Sequence, residues 1–126
     1  MVTQEQINGL KARAAKLGES IDVEQRQIEL QNEQERTEES NFWDNPDEAR
    51  KQLKKVADIK AVLDEYAAVC RMVDDVELIP DFVADGAIGE DEAEAQYLLT
   101  VEAVEKLELK QMLSRSEEHT SELQSL

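Results

Sequence analysis

Two runs of adjacent acids, Asp74-Asp75 and Glu90-Asp91-Glu92, are the residues whose types could support general acid–base chemistry. Such chemistry holds one carboxyl protonated while its neighbour stays ionised. Both runs fall in a connector or at a helix start, where acids are common for electrostatic reasons, so a small acidic enzyme built on them has little else to rest on. The one cysteine, Cys70, lies on an apolar stripe with helical spacing and reads as core. His119 is the only histidine, which leaves a zinc site, a Cys/His nucleophile or a Ser/His/Asp triad without enough partners. Gly9, Gly18, Gly86 and Gly89 are scattered and form no phosphate-cradling loop. The expectation is a protein that is not an enzyme, with no catalytic, metal or cofactor residues.

A binding surface is the better-supported chemistry. Phe42, Trp43, Asp44, Asn45 and Pro46 put the single Trp and one of two Phe side by side on a short acidic turn. Asn45 can cap the helix that follows, Pro46 suits its first position, and Asp47 and Glu48 complement its positive end. The aromatic pair either packs under the helix start and fixes the angle between two helices, or exposes at least one ring as a partner anchor. Just beyond it stand Arg50, Lys51, Lys54 and Lys55, with Lys60 further on, and a second basic stretch holds Lys11, Arg13 and Lys16. The basic residues could meet RNA. They could equally form a solvated face with pairs such as Glu48 with Lys51 or Lys60 with Asp64, each contributing about 0.2–0.5 kcal/mol.

The elements that must position these residues belong to one modest domain of 126 residues, 40% apolar and 35% charged, with four Gly and two Pro. A formal net charge of −16 repels a free nucleic-acid backbone and an anionic membrane alike, and favours basic partners. No apolar run approaches the roughly 20 residues of a membrane span, and no secretion signal opens the chain. A cytoplasmic protein is expected.

Helical periodicity runs throughout, and nothing alternates like a strand. Thr3 and Gln6 have the form of a capping box ahead of Ile7, Leu10, Ala14 and Leu17, which predicts a first helix over residues 3–17. Gly18 interrupts, and Ser20 and Asp22 restart a helix over 22–39, whose Gln/Glu-rich second half is either a solvated arm or a helix with one narrow seam. Ala49, Leu53, Val56, Ile59, Leu63, Tyr66, Cys70 and Val73 step by three or four along a helix over 46–73, with coiled-coil-like regularity. Pro80 and Gly86 bracket a single helical turn, and Ala93, Tyr97, Val101, Val104 and Leu107 carry a last helix over 90–113. Helices apolar on one face must bury those faces against each other, so the fold class is all-α, an elongated antiparallel helical hairpin or small bundle.

Residues 115–125 read Arg-Ser-Glu-Glu-His-Thr-Ser-Glu-Leu-Gln-Ser. The string resembles the in-frame translation of a widely used sequencing-library adapter, so 115–126 is set aside as a non-native tail and the natural protein is expected to continue beyond Ser114. Residues 1–114 resemble the amino-terminal helical domain of bacterial peptide chain release factor 2. The resemblance rests on Phe42-Trp43-Asp44-Asn45-Pro46-Asp47 with Ala49-Arg50-Lys51 behind it, and on the closing stretch from Leu107 to Ser114. Where the family continues with Gly, this chain has Arg115; Pro80, Gly86 and Gly89 also break the connector more than the family pattern does. The resemblance implies translation termination at UAA and UGA codons by hydrolysis of peptidyl-tRNA. The family's codon-reading Ser-Pro-Phe and catalytic Gly-Gly-Gln motifs are absent from these residues. What remains is implied to be a monomeric docking module for the stalk-base region of the ribosome and a recycling GTPase, without cofactor. The competing reading is a free-standing structural or adaptor coiled coil.

Overall fold

A computed structural model describes the backbone of residues 1–125 and the side chains of residues 1–114. It contains α1 (Gln4–Ile21), α2 (Val23–Thr37), a 3-10 turn (Phe42–Asp44), α3 (Pro46–Glu77), α4 (Ile79–Ala84) and α5 (Glu90–Ser125), with no strand among the described residues. The fold is all-α, as the periodicity predicts. The side chains of 115–126, the segment read as a non-native tail and the one carrying His119, lie outside the described residues.

α1 starts on the capping box. Thr3 Oγ1 accepts from Gln6 N–H at 3.1 Å, and Gln6 Oε1 accepts from Thr3 N–H at 2.9 Å, so two donors that a helix start leaves orphaned are satisfied reciprocally. Its apolar stripe of Ile7, Leu10, Ala14, Leu17 and Ile21 is buried along its full length. Gly18 does not interrupt it. The helix runs through Gly18 and breaks at Asp22, whose φ of 58° is left-handed, a conformation Asp tolerates better than most residues. Asp22 makes no side-chain cap for α2; its own N–H donates back to Gly18 O and Glu19 O, and Arg26 Nε donates to the freed carbonyl of Ile21 at 2.7 Å.

Cross-helix hydrogen bonds give the register. α3, 32 residues and therefore about 48 Å long, runs antiparallel to α1 and α2. Lys11 lies opposite Glu77, Ala14 opposite Tyr66 and Glu33 opposite Gln52. α5 runs antiparallel to α3 through Lys110 and Glu65 but parallel to α1, with the Met1 amine on Glu94, Arg13 on Glu108 and Gln111 on the Ser20 carbonyl. One end of the molecule is thus a body of α1, α3 and α5, with α4 packed across α3 and α5; the other is an arm of α2 and α3. The core belongs to the body, where Ile7, Ile21, Val76, Val104 and Thr100 are almost wholly buried. In the arm only Glu33, Ala49 and Ile59 are buried.

This division corrects the single seam expected along α3. Ala49, Ile59 and Val73 of that seam are buried, but Leu53 is 40% exposed and Cys70, expected in the core, is only half-buried. Burial passes instead to Val69 and Val76, on either side of Val73. In the body α3 meets α1 on one side and α5 on the other, so its buried stripe lies between the two contacts; in the arm it meets α2 alone. The connector is the single short helix α4, closed by Gly86 at a positive φ of 77°.

Candidate docking site

The arm ends in the aromatic turn. α2 stops at Thr37, and the chain reverses through backbone hydrogen bonds from Phe42 N–H to Glu39 O and from Asp44 N–H to Asn41 O, both 3.1 Å. Asn45 then caps α3 by accepting from Glu48 N–H at 3.3 Å, with Pro46 in the first turn where its missing N–H costs nothing. Phe42 is half-buried and holds Trp43 edge-on, ring centroids 5.1 Å apart and planes at 78°. Trp43 itself is 62% exposed. The indole therefore does not pack under the helix start, and Phe42 is the half-buried member of the pair. An open groove of about 500 Å³ runs along Phe42, lined also by Arg36, Glu39, Asn41, Asp44 and Gln52 among others. Trp43 emission is expected to be red-shifted and readily quenched by acrylamide, and a blue-shifted, protected indole would contradict this placement.

The basic residues beyond the turn are exposed but locally neutralised. Arg50 pairs with Asp47, Lys51 with Glu48 at 3.7 Å, Lys54 with Asp58 at 3.2 Å, and Lys55 with Glu33 at 3.5 Å. Lys60 and Asp64, expected to pair, do not. With a carboxylate beside each of Arg50, Lys51, Lys54 and Lys55, this stretch of α3 is a solvated face laced with short-range pairs rather than a free positive patch.

What the sequence missed is the polar latch beneath that face. Glu33 is 6% exposed on the side of α2 that meets α3. Gln52 donates to its carboxylate at 2.6 Å and to its backbone carbonyl at 2.9 Å, with Arg36 and Lys55 nearby. The Gln52 hydrogen bond, helped by Arg36 and Lys55, holds the Glu33 carboxyl below its usual value. A depressed carboxylate contributes stability that is present above the ordinary Glu range and lost as pH falls through the depressed value. Protection factors of the α2 amides, which remove the intrinsic pH dependence of exchange, are therefore expected to fall on acidification more in the native chain than in Glu33→Gln. An equal acid response in the two would remove Glu33 as the cause. The signal was a Glu in a Gln/Glu-rich stretch, indistinguishable by type from its solvated neighbours.

The acidic runs do not converge on a site. Asp74 and Asp75 are exposed on α3, Glu90, Asp91 and Glu92 are exposed at the start of α5, and the Met1 amine lies 3.7 Å from Glu90. Among the described residues no group of three His, Cys, Asp or Glu is placed to hold a metal ion, and no helix is long and apolar enough to cross a membrane. No family model matches the chain, and no solved structure matches it.

Proposed function

We propose that residues 1–114 form the amino-terminal helical domain of a translation termination factor of the bacterial release factor 2 type. On this reading it is a cytoplasmic, monomeric docking module that meets the stalk-base region of the ribosome and a recycling GTPase. Stop-codon reading and peptidyl-tRNA hydrolysis would belong to parts bearing the Ser-Pro-Phe and Gly-Gly-Gln motifs. The observation that supports this most is the position of the turn that carries the resemblance: Phe42 to Pro46 stand at the far end of a two-helix arm held out from a three-helix body, with Trp43 facing solvent. An arm of that shape holds those residues clear of the body, where a partner can reach them.

Co-sedimentation of the purified chain with large ribosomal subunits tests the reading. Binding that disappears when the stalk-base protein is stripped from the subunit is expected; no sedimentation at all would remove the proposal. The gene gives a second test. A reading frame that continues past the Ser114 codon and encodes both motifs is the expected result, and a native stop codon there would count against it.

A self-associating adaptor coiled coil is favoured by one feature, the exposed side chains of Leu98, Leu109, Met112 and Leu113, which share the face of α5 turned away from the core and are 54–65% exposed. Sedimentation equilibrium separates the two: a monomer at all concentrations fits the docking module, and a dimer whose helicity falls on dilution fits the adaptor.

A further inference from the structure

We propose that the tip of the α2–α3 arm docks a lysine- or arginine-bearing segment of a basic protein, with Trp43 as its anchor. The inference names the surface and the partner chemistry for the docking role above, and so rests on that reading. Trp43 is the most exposed aromatic of the chain's described side chains and is fixed rather than loose. Phe42 braces its ring, the 3-10 turn ties its backbone, and the Asn45 cap joins the turn to a long helix. A partner meeting it would therefore spend little conformational entropy on ordering the site. Exposed, rigid Trp is the residue type most enriched among dominant contacts at protein interfaces.

Charge selects the occupant. Glu39 and Asp44 line the groove with Phe42, and neither they nor the neighbouring exposed Glu38 has an ion-pair partner among the described residues, whereas Asp47 and Glu48 are engaged by Arg50 and Lys51. The tip thus joins an exposed aromatic face to uncompensated carboxylates in the open groove that Phe42 lines, whose one lining cation, Arg36, is paired with Glu33. A cation seated over the indole meets both the ring's negative face and the carboxylates. Phosphate is repelled by the same carboxylates. A second copy of a chain with formal net charge −16 is repelled as well.

The experiment titrates the whole chain with a twelve-residue peptide of alternating lysine and alanine and with its fully acetylated counterpart, following Trp43 emission and backbone amide shifts. The lysine peptide is expected to perturb Trp43 and the residues of the turn, and the acetylated one to leave them unmoved. Trp43→Ala is expected to weaken binding about tenfold or more, as loss of an interface anchor does, with Trp43→Phe retaining most of it. Glu39→Gln with Asp44→Asn should cost about threefold, the scale of two exposed charge contacts. The same charge change at Asp74→Asn with Asp75→Asn should cost less than about twofold, because those residues lie at the other end of α3. Equal losses from the two charge pairs, equal binding of the acetylated peptide, tighter binding of single-stranded RNA, or self-association that buries Trp43 would each overturn the proposal. Every substitution is at an exposed position, so circular dichroism should show unchanged helicity. Ribosome co-sedimentation that survives Trp43→Ala would remove the tip and leave the release-factor reading standing, whereas peptide binding without any co-sedimentation would do the reverse.

Discussion

Gly18→Val is expected to lower the stability of this protein by about 2–4 kcal/mol, although a glycine inside a helix ordinarily costs about 1 kcal/mol relative to alanine. The reason is the neighbour. A Cβ built on Gly18 would lie 2.5 Å from the Tyr66 hydroxyl oxygen and 3.0 Å from its Cζ, and Tyr66 cannot simply swing away, since its hydroxyl donates to the Ala14 carbonyl at 2.9 Å. Valine would force α1 and α3 apart, an overpacking cost of about 1–3 kcal/mol, and would break a hydrogen bond worth about 0.5–1.5 kcal/mol. Urea denaturation of Gly18→Val, Tyr66→Phe and the double variant measures the coupling between them. Additive losses would show that the two residues do not share the contact. The phenol gives an independent readout. Burial, reinforced by Cys70, pushes Tyr66 up to about 12 from an ordinary value of 10. Because the folded value is the higher, the neutral phenol's contribution is complete below pH 10 and lost as pH rises through about 12. Tyrosinate absorbance should therefore contain a late step that Tyr66→Phe removes and that Gly18→Val moves to lower pH.

The same residue shows where sequence reading succeeded and failed. Local rules carried the helix starts: the Thr3–Gln6 box and the Asn45–Pro46 start both form as their residue types require. Each involves groups within one turn, so nothing distant could override them. Gly18 looks like a breaker because its local cost is real, and what keeps it in the helix is Tyr66, 48 positions away in sequence. The break fell instead on Asp22, one of several residues there able to adopt a left-handed backbone. Likewise the periodicity of α3 identifies a helix but does not say which residues face two neighbours and which face one, so spacing alone puts Cys70 and Leu53 deeper than they lie. The aromatic turn was legible as a feature, while the division of labour within it, Phe42 as brace and Trp43 as exposed ring, depends on side-chain directions that spacing does not encode.

The unequal thickness of the two ends should appear as unequal response to truncation. Ile7→Ala removes a side chain with no exposed surface from the centre of the body, and large-to-small changes at such sites cost about 2–5 kcal/mol through lost transfer energy and the cavity left behind. Against a total of about 5–15 kcal/mol for a domain, that is a large share, and the urea midpoint should fall accordingly. Leu53→Ala, in the arm and 40% exposed, has less buried surface to lose and opens no enclosed cavity, and should cost about 1–2 kcal/mol. Amide exchange extends the contrast. Protection in α1 and in α3 around Val73 and Val76 should track global stability and fall with Ile7→Ala. Exchange in α2, held by Glu33 and by few apolar contacts, should proceed by local opening that Ile7→Ala leaves almost unchanged. Uniform protection along α2 and α1, or equal losses from Ile7→Ala and Leu53→Ala, would mean that arm and body unfold as one unit. A stiff body with a separately opening arm confines the loss of the α2–α3 pairing to the arm and leaves the core intact.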